Sequence, residues 1–345
     1  MPAELVDLGR DPRWDSWLDQ FDAASCFHAS AWAKLLQETY GAHSIGLVAL
    51  DEAHSPLAMI PVSWAPRRFR SVKATSVPFA DFAEPLARDA ASRSALMEAL
   101  LTHGRSRQWG TIEIRGGTPA GADSAASTEY WQHELDLRPG PDALLAAMAD
   151  GTRRSVRKAE RSGLRAEVST SLASVHAYFE LHCLTRQRLG SPPQPRAFFV
   201  NLWKHFIEPG HGFVVTVLHE GQPAASLIVL THRDRAVYKF GASDHRQQAL
   251  RPNNLAMWWA IRHCIDQRMT RLHFGRTSMH DDGLRRYKNG WGCQESVLQY
   301  FRIDLATGAH LAVPDIAGGW TSSVVRRMPV GLVTRLGGAL YRHLL

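Results

Sequence analysis

No run of about eighteen apolar residues passes without a charge, so an ordinary membrane-spanning helix is excluded. Cysteine is scarce. Cys26, Cys183, Cys264 and Cys293 stand far apart with no C-x-x-C pair, which excludes a zinc knuckle and a dense disulfide framework and leaves four reduced thiols. The opening MPAELVDLGRDPRWDSW lacks the cationic start and apolar run of a secretory signal, so a cytoplasmic location is expected. Missing too are a G-x-S-x-G elbow, an H-E-x-x-H helix, a Walker loop and a G-x-G-x-x-G fingerprint, which argues against hydrolase, zincin, kinase and dehydrogenase chemistry. Ser155-x-x-Lys158 has the spacing of serine acyl enzymes, but no S-D-N or K-T-G element accompanies it. The 17 histidines are scattered rather than set at ligand spacing, and no metal is expected.

What is present is ordinary globular material. With 345 residues, 45% hydrophobic and 21% charged, the chain is long enough for two domains and rich enough for a real core. Its net charge of +7 suits an anionic partner without choosing between nucleic acid, lipid and a phosphorylated substrate. The order of predicted elements repeats. Ser44–Leu50 and Leu57–Trp64 form one hairpin, Phe213–Leu218 and Ala224–Thr231 another. After each come an extended run (Val72–Phe79, Ala236–Gly241), a helix (Ser92–Gln108, Asn253–Arg268) and a strand (Thr111–Arg115, Arg271–Gly275). Equivalent positions such as Leu57 and Ala224 lie roughly 165 residues apart, the length of one domain, so the chain reads as an internal duplication.

The expected division is a first lobe over 1–145, a second over 146–310 and a tail over 311–345. Arg138-Pro139-Gly140-Pro141 marks the first boundary, Thr152 is a candidate N-cap for the helix beyond it, and Gly116–Thr128 is small and polar enough for a surface loop. In the tail, Val325, Met328, Leu332, Leu336, Leu340 and Leu344 fall at helical spacing among Arg326, Arg327, Arg335 and Arg342, with a break at Pro329. Such an element either packs on the protein or lies on the inner face of an anionic membrane.

Two segments carry candidate chemistry. In Leu272–Gly292, LHFGRTSMHDDGLRRYKNGWG, a strand end is followed by Arg276, the acidic pair Asp281-Asp282, and then Arg285, Arg286, Tyr287 and Lys288 within one helical turn before Trp291. A solvated basic helix face would explain the cations; their place after a strand end, where ligands bind in mixed sheets, fits a cation that stabilises an oxyanion or a phosphate. In Arg153–Arg165, Arg153 with Arg157 and Arg154 with Lys158 stack at i and i+4 into a positive stripe, suited to a phosphate backbone or simply to solvent.

Further pieces complete a pattern: Phe27-His28-Ala29-Ser30-Ala31-Trp32 with Tyr40-Gly41, Val77-Pro78-Phe79-Ala80-Asp81-Phe82 with Pro85-Leu86, Arg154-x-x-Arg157-Lys158-Ala159, Tyr238-x-x-Gly241-Ala242-Ser243, and Phe274-Gly275-Arg276 before Tyr287-Lys288. In this order the chain resembles the Fem-type peptidyltransferases and FemAB-like proteins. Within them it is most similar to the branch associated with exopolysaccharide and PEP-CTERM sorting, which shares Arg326-Arg327-Met328-Pro329, Gly337 and Tyr341-Arg342. The resemblance implies an α/β fold of mixed sheets: two tandem GNAT-like (acyl-CoA N-acyltransferase-like) lobes with a C-terminal amphipathic helix. It implies metal-free transfer of an aminoacyl or acyl group to an amine of a peptidoglycan or other cell-envelope precursor, with no tightly bound cofactor and with aminoacyl-tRNA or acyl-CoA as donor.

By the same resemblance Lys288, preceded by Tyr287, stabilises the transition state; for the direct attack of an amine on an activated carbonyl, Asp81 or Asp281 is the expected proton acceptor. Tyr238 and Arg154 line the acceptor cleft, with Trp32, Lys34 and Asp81 facing it from the first lobe. Arg157, Lys158, Asn253, Arg276, Arg286 and Trp291 complete the expected substrate-binding set. There are two departures. Leu164–Gly212 is broken by Ser191-Pro192-Pro193-Gln194-Pro195, short of the coiled-coil arm with which cross-bridge enzymes hold tRNA. The loop Ala242–Asn253 has no glycine with which to cradle a CoA pyrophosphate. An acyl-CoA-dependent N-acetyltransferase and a non-catalytic nucleic-acid or envelope-assembly module are the competing readings.

Overall fold

The computed structural model describes residues 3–65, 71–117, 125–313, 315 and 325–341. They divide into two compact units, Met1–Tyr130 with Val297–Asp315, and Trp131–Ser296 with Ile316–Tyr341. This departs from the linear division expected at 145/146 and 310/311. A strand must satisfy its edge and a helix its apolar face, and both do so out of sequence order: the strand Gln294–Asp304 crosses from one unit to the other, and the tail helix folds onto the second unit instead of standing as a third.

The first unit contains β1 (Ala3–Asp7), α1 (Arg13–Leu18), α2 (Ser30–Tyr40), β2 (His43–Leu50), β3 (Pro56–Trp64), β4 (Val72–Thr75), β5 (Leu86–Ala87), α3 (Ala90–Ser106) and β6 (Trp109–Arg115). The β2–β3 turn is built by the Asp51 carboxylate, which accepts from the N–H groups of Ala53 and Ser55 at 2.9 and 2.8 Å. Asp89 caps α3 by accepting from Ser92 N–H at 2.7 Å. The strands run β1-β2-β3-β4-β6, antiparallel except for the parallel pair β4–β6. Ile60, Val62, Leu96, Leu100 and Ile112 meet in the core between sheet and α3.

The second unit repeats this grammar with β7 (Thr128–Asp136, from Trp131), α4 (Pro141–Ala147), α5 (Asp150–Glu160), β8 (Arg165–Ser169), α6 (Leu172–Leu189), α7 (Arg196–Leu202), β9 (Gly212–His219), β10 (Gln222–His232), β11 (Arg235–Ser243), α8 (Pro252–Asp266), β12 (Arg271–Ser278) and α9 (Asp282–Asn289). Its strand order is β7-β12-β11-β10-β9-β8, and the parallel pair is β11–β12. α5 begins two residues before Thr152, with Ala149 as its cap. Leu227, Val229, Ile261, Phe274 and Trp291 are among the residues that fill the core under α8. β13 (Gln294–Asp304) leaves this unit at Val297, and its end pairs antiparallel with β6 from Tyr300↔Arg115 to Asp304↔Thr111. α10 (Val330–Tyr341) packs on α6.

The α6 core contains a pH-sensitive group. His182 is buried, accepts or donates to Tyr178 Oη through Nδ1 at 3.1 Å, meets Gln194 Oε1 through Nε2 at 2.9 Å, and abuts the Phe199 ring. Burial, aided by the charge of Arg186, pushes its pKa from 6.5 down to about 3. A histidine whose folded pKa is depressed binds its proton only when unfolded, so stability is intact above the unfolded pKa and falls as pH drops. Between pH 6.5 and about 3, we expect His182 to subtract about 1.4 kcal/mol of stability per pH unit. Urea unfolding at two pH values in this window, with His182→Gln as the control lacking that slope, measures it.

Candidate active site

β11 and β12 pair only over Arg235↔Arg271, Ala236↔Leu272 and Val237↔His273, although each strand continues well beyond this. Two local features drive them apart. On β11, the register with β10 jumps from Val229↔Tyr238 to Ile228↔Phe240, which makes Lys239 the extra residue of a β-bulge. On β12, Gly275 has φ +72°, a left-handed conformation that a side chain would strain. The strands therefore open into a fork whose prongs are 238–243 and 274–278. Beyond Val237 and His273 they stop satisfying each other's main-chain groups.

The same place in the first unit is closed by its own chain. β4 and β6 pair from Val72↔Trp109 to Thr75↔Glu113, and Ser76 then continues along the edge: its N–H donates to Glu113 O at 2.8 Å, and its Oγ accepts from Arg115 N–H at 3.1 Å. Ala83 N–H donates to Arg115 O at 2.7 Å, and Arg115 Nη1 donates to Ala80 O at 2.8 Å. Trp32 Nε1 holds Pro78 O at 3.1 Å, and Tyr300 Oη donates to Asp81 O. The segment Val77–Phe82, noted in the sequence as a motif, is thus a plug on β6. An open fork remains in the second unit.

α9 lies against the open fork. Asp281 caps it, its carboxylate accepting from Leu284 N–H at 2.9 Å. Lys288 is only 2% exposed, and its Nζ donates to the carbonyls of Gly275 and Arg276 at 2.8 and 3.1 Å. The ammonium is thereby pinned to the β12 prong at the glycine that bends it. Tyr287, next in the helix, meets the buried Trp291 edge-on at a 6.0 Å centroid distance, and burial pushes its phenol pKa well above the ordinary value. Tyr238, on the β11 prong, packs against Phe274, and its hydroxyl lies where a side chain at Gly241 would have to go; burial raises its pKa to about 12. Both phenols stay protonated near neutral pH and can act as hydrogen-bond donors.

A second polar cluster fixes α9 from the other side. Glu295, at the start of β13, accepts from Arg285 Nε and Nη2 at 2.8 and 2.7 Å, from Asn289 Nδ2 at 2.9 Å and from His133 Nε2 at 3.0 Å. Arg285 foremost, with Asn289 and His133 adding to it, lowers the Glu295 pKa to about 2. A carboxylate only accepts, so His133 carries its proton on Nε2. Burial, with the nearby Lys288 charge, lowers the His133 pKa, which keeps the ring neutral; among the described residues its Nδ1 has no hydrogen-bond partner. The Thr277 hydroxyl, buried on the same β12 prong, is likewise without one among the described residues.

The remaining expected residues divide by location. Arg276 is half-buried and supplies one of the carbonyls that hold Lys288. Asn253 opens α8 and donates to Ser243 Oγ at 3.1 Å, which ties that helix to the end of the β11 prong. Arg154, Arg157 and Lys158 are exposed on α5, whose opposite face buries Val156 and Ala159; among the described residues these three cations make no ion pair. α5 touches the Lys288 segment directly: Ala149 N–H donates to Gly290 O at 3.0 Å, and Thr152 presses on Gly290 so closely that a side chain there would collide with it. Arg286 is exposed. Trp32 is 1% exposed and belongs to the first unit's core, so it faces no cleft; Lys34 and Asp81 are half-buried in that unit. Asp281 is exposed and already engaged as a cap.

Glu295 and His133 were not singled out from sequence. They stand 162 positions apart with nothing local to link them, and only the strand pairing brings them together.

Comparison with known proteins places this geometry. The acetyltransferase (GNAT) domain family matches residues 147–289, a span that contains the fork, α5, α8 and Lys288. No curated protein matches the chain. Among solved structures, the fold is that of tandem GNAT proteins: one from the clavulanic acid biosynthesis pathway superposes with a TM-score of 0.52 at 12% identity, over 91% of this chain and 100% of its own. More particularly it is the fold of FemX, with a TM-score of 0.66 at 12% identity over 86% of this chain and 96% of that one. L-PGS from Bacillus licheniformis is also similar, with a TM-score of 0.54 at 11% identity over 96% and 98%. The expected FemAB-like tandem GNAT architecture is therefore present.

Proposed function

We propose that the chain transfers an activated acyl or aminoacyl group to an amine of a cell-envelope or polysaccharide-related precursor on the cytoplasmic side of the membrane, and that the chemistry belongs to the second unit. One observation carries the reading: a buried lysine ammonium held at the bend of an open β-fork, inside a GNAT domain, where the equivalent fork of the first unit is filled by its own chain. The amine nitrogen attacks the acyl carbonyl, a C–N bond forms, and the bond to the donor's oxygen or sulfur breaks as that atom leaves. Charge on the carbonyl oxygen rises in the transition state, and a fixed cation shielded from water stabilises it more than a solvated one would. Tyr287 and Tyr238, held protonated by burial, add donors. Asp281 is engaged as a helix cap, so the proton that the amine loses passes to the departing oxygen or sulfur. The exposed face of α5, with Arg154, Arg157 and Lys158, suits a polyanionic donor such as an aminoacyl-tRNA; the GNAT match suits an acyl-CoA.

Thermal shift with three ligand sets decides between them: CoA thioesters, aminoacyl-tRNA and nucleotide-linked envelope precursors. A ligand that binds only the native state at 100 times its Kd adds about 2.7 kcal/mol. A donor and an acceptor should each raise Tm, and their mixture should yield acylated acceptor. Silence from all three sets, with no product, counts against the transferase reading.

A further inference from the structure

α10 has apolar residues on two sides, and among the described residues only one side is covered. Val333, Gly337 and Tyr341 are buried against α6 and the chain beyond it. The approach at Gly337 is so close that any side chain there would strike the Pro193 carbonyl. Hydrogen bonds hold the same side: Gln187 Nε2 donates to Met328 O at 2.5 Å, Arg186 to Tyr341 Oη at 3.3 Å and Tyr341 Oη to Pro192 O at 3.4 Å. On the outer side Leu332 and Leu340 are 46% and 47% exposed. A helix stripe of leucines left exposed beside a packed side is satisfied by an apolar phase.

Charge selects which phase. From Ile316 to Leu345 there are four arginines and no aspartate or glutamate, and Arg326 and Arg327 stand exposed just before the helix. Two copies meeting on this face would bring arginine against arginine. An anionic surface would neutralise them. We propose that the outer face of α10 seats this protein on an anionic phospholipid bilayer: Leu332 and Leu340 enter the headgroup–acyl boundary and Arg326 and Arg327 meet lipid phosphates. No helix of the described residues is long and apolar enough to cross a membrane, so the contact is peripheral. It depends neither on Lys288 nor on the donor, so it stands or falls apart from the transferase reading.

The test is co-sedimentation of the full chain with vesicles of phosphatidylcholine alone and of phosphatidylcholine mixed with phosphatidylglycerol. Binding should require phosphatidylglycerol and weaken with salt. Arg326→Gln and Arg327→Gln should each reduce it roughly five-fold, and the double variant Leu332→Ser/Leu340→Ser should abolish it. All these side chains are exposed, so Tm should hold; activity on a soluble acceptor should hold as well. Three results would overturn the proposal: no binding to the anionic vesicles, binding that the leucine pair does not affect, or a dimer in light scattering that the leucine pair disrupts, which would give the face to a second copy.

Discussion

Lys288→Met should lower transfer by about 10²- to 10³-fold, the cost of removing one preorganised oxyanion partner, and should leave KM for the acceptor nearly unchanged. The side-chain length is kept and the charge is lost. Because the ammonium also satisfies the carbonyls of Gly275 and Arg276, the variant leaves two buried acceptors without their donor, and a stability loss of about 1–3 kcal/mol is expected beside the kinetic one. The two effects separate by measurement. Tm reports the lost hydrogen bonds, and kcat per folded molecule reports the lost stabilisation of the transition state. Lys288→Arg keeps a charge, but a planar guanidinium cannot place it as an ammonium does, so only partial recovery is expected. Should Lys288→Met turn over at the wild-type rate once corrected for the folded fraction, Lys288 is a structural pin and the chemistry lies elsewhere.

The architecture was legible because duplication leaves a record in pattern even where residues diverge. Both hairpins, both helices and both following strands lie within a few residues of their expected positions, since alternating apolar runs and Asp- or Gly-bearing turns are local signals. Val72–Phe79 shows where such signals stop. It reads as one extended run, yet only Val72–Thr75 is strand, and Phe79 takes φ +62° in the plug. Apolar content was visible there; the competition between continuing a strand and filling a fork was not.

The site was legible only in part, and for a similar reason. Lys288, Tyr287, Tyr238 and Trp291 cluster in sequence or in motif, so pattern could find them. Asp281 looked like a base because it is acidic and close, but a residue preceding a helix by one position has a stronger local use as its cap. Trp32 belonged to a motif shared with transferases, yet its indole N–H serves the plug. Both units carry the fork as a fold feature. They differ in whether the chain itself fills it, which depends on bonds such as Ser76 to Arg115 that span 39 positions.

Glu295→Gln is expected to produce the second large effect, without touching the fork. Its carboxylate grips α9 at Arg285 and Asn289, three residues before Lys288 and one after, and holds His133 through Nε2. An amide can accept on its oxygen, but it cannot match a bidentate charged pair, and its NH₂ would face the donors of Arg285, Asn289 or His133. α9 should loosen about Lys288, and since a displacement near 1 Å can cost about 100-fold in rate, kcat should fall by about 10- to 100-fold. Arg285 also stacks on Trp131, 3.9 Å from the ring centroid, and that contact should survive and keep the fold intact. The pH dependence supplies an independent readout. The folded pKa near 2 lies below the ordinary 4.5, so the charged Glu295 adds stability that is complete above about 4.5 and is lost as pH falls toward 2. Allowing for solvent screening, that contribution is about 1–2 kcal/mol. The Tm gap between wild type and Glu295→Gln should accordingly be widest at neutral pH and close on acidification, while amide exchange over Asp282–Asn289 rises in the variant. If kcat, exchange and the pH profile all match wild type, α9 is positioned by its own cap and by Lys288 alone, and the Glu295 cluster has no part in the chemistry.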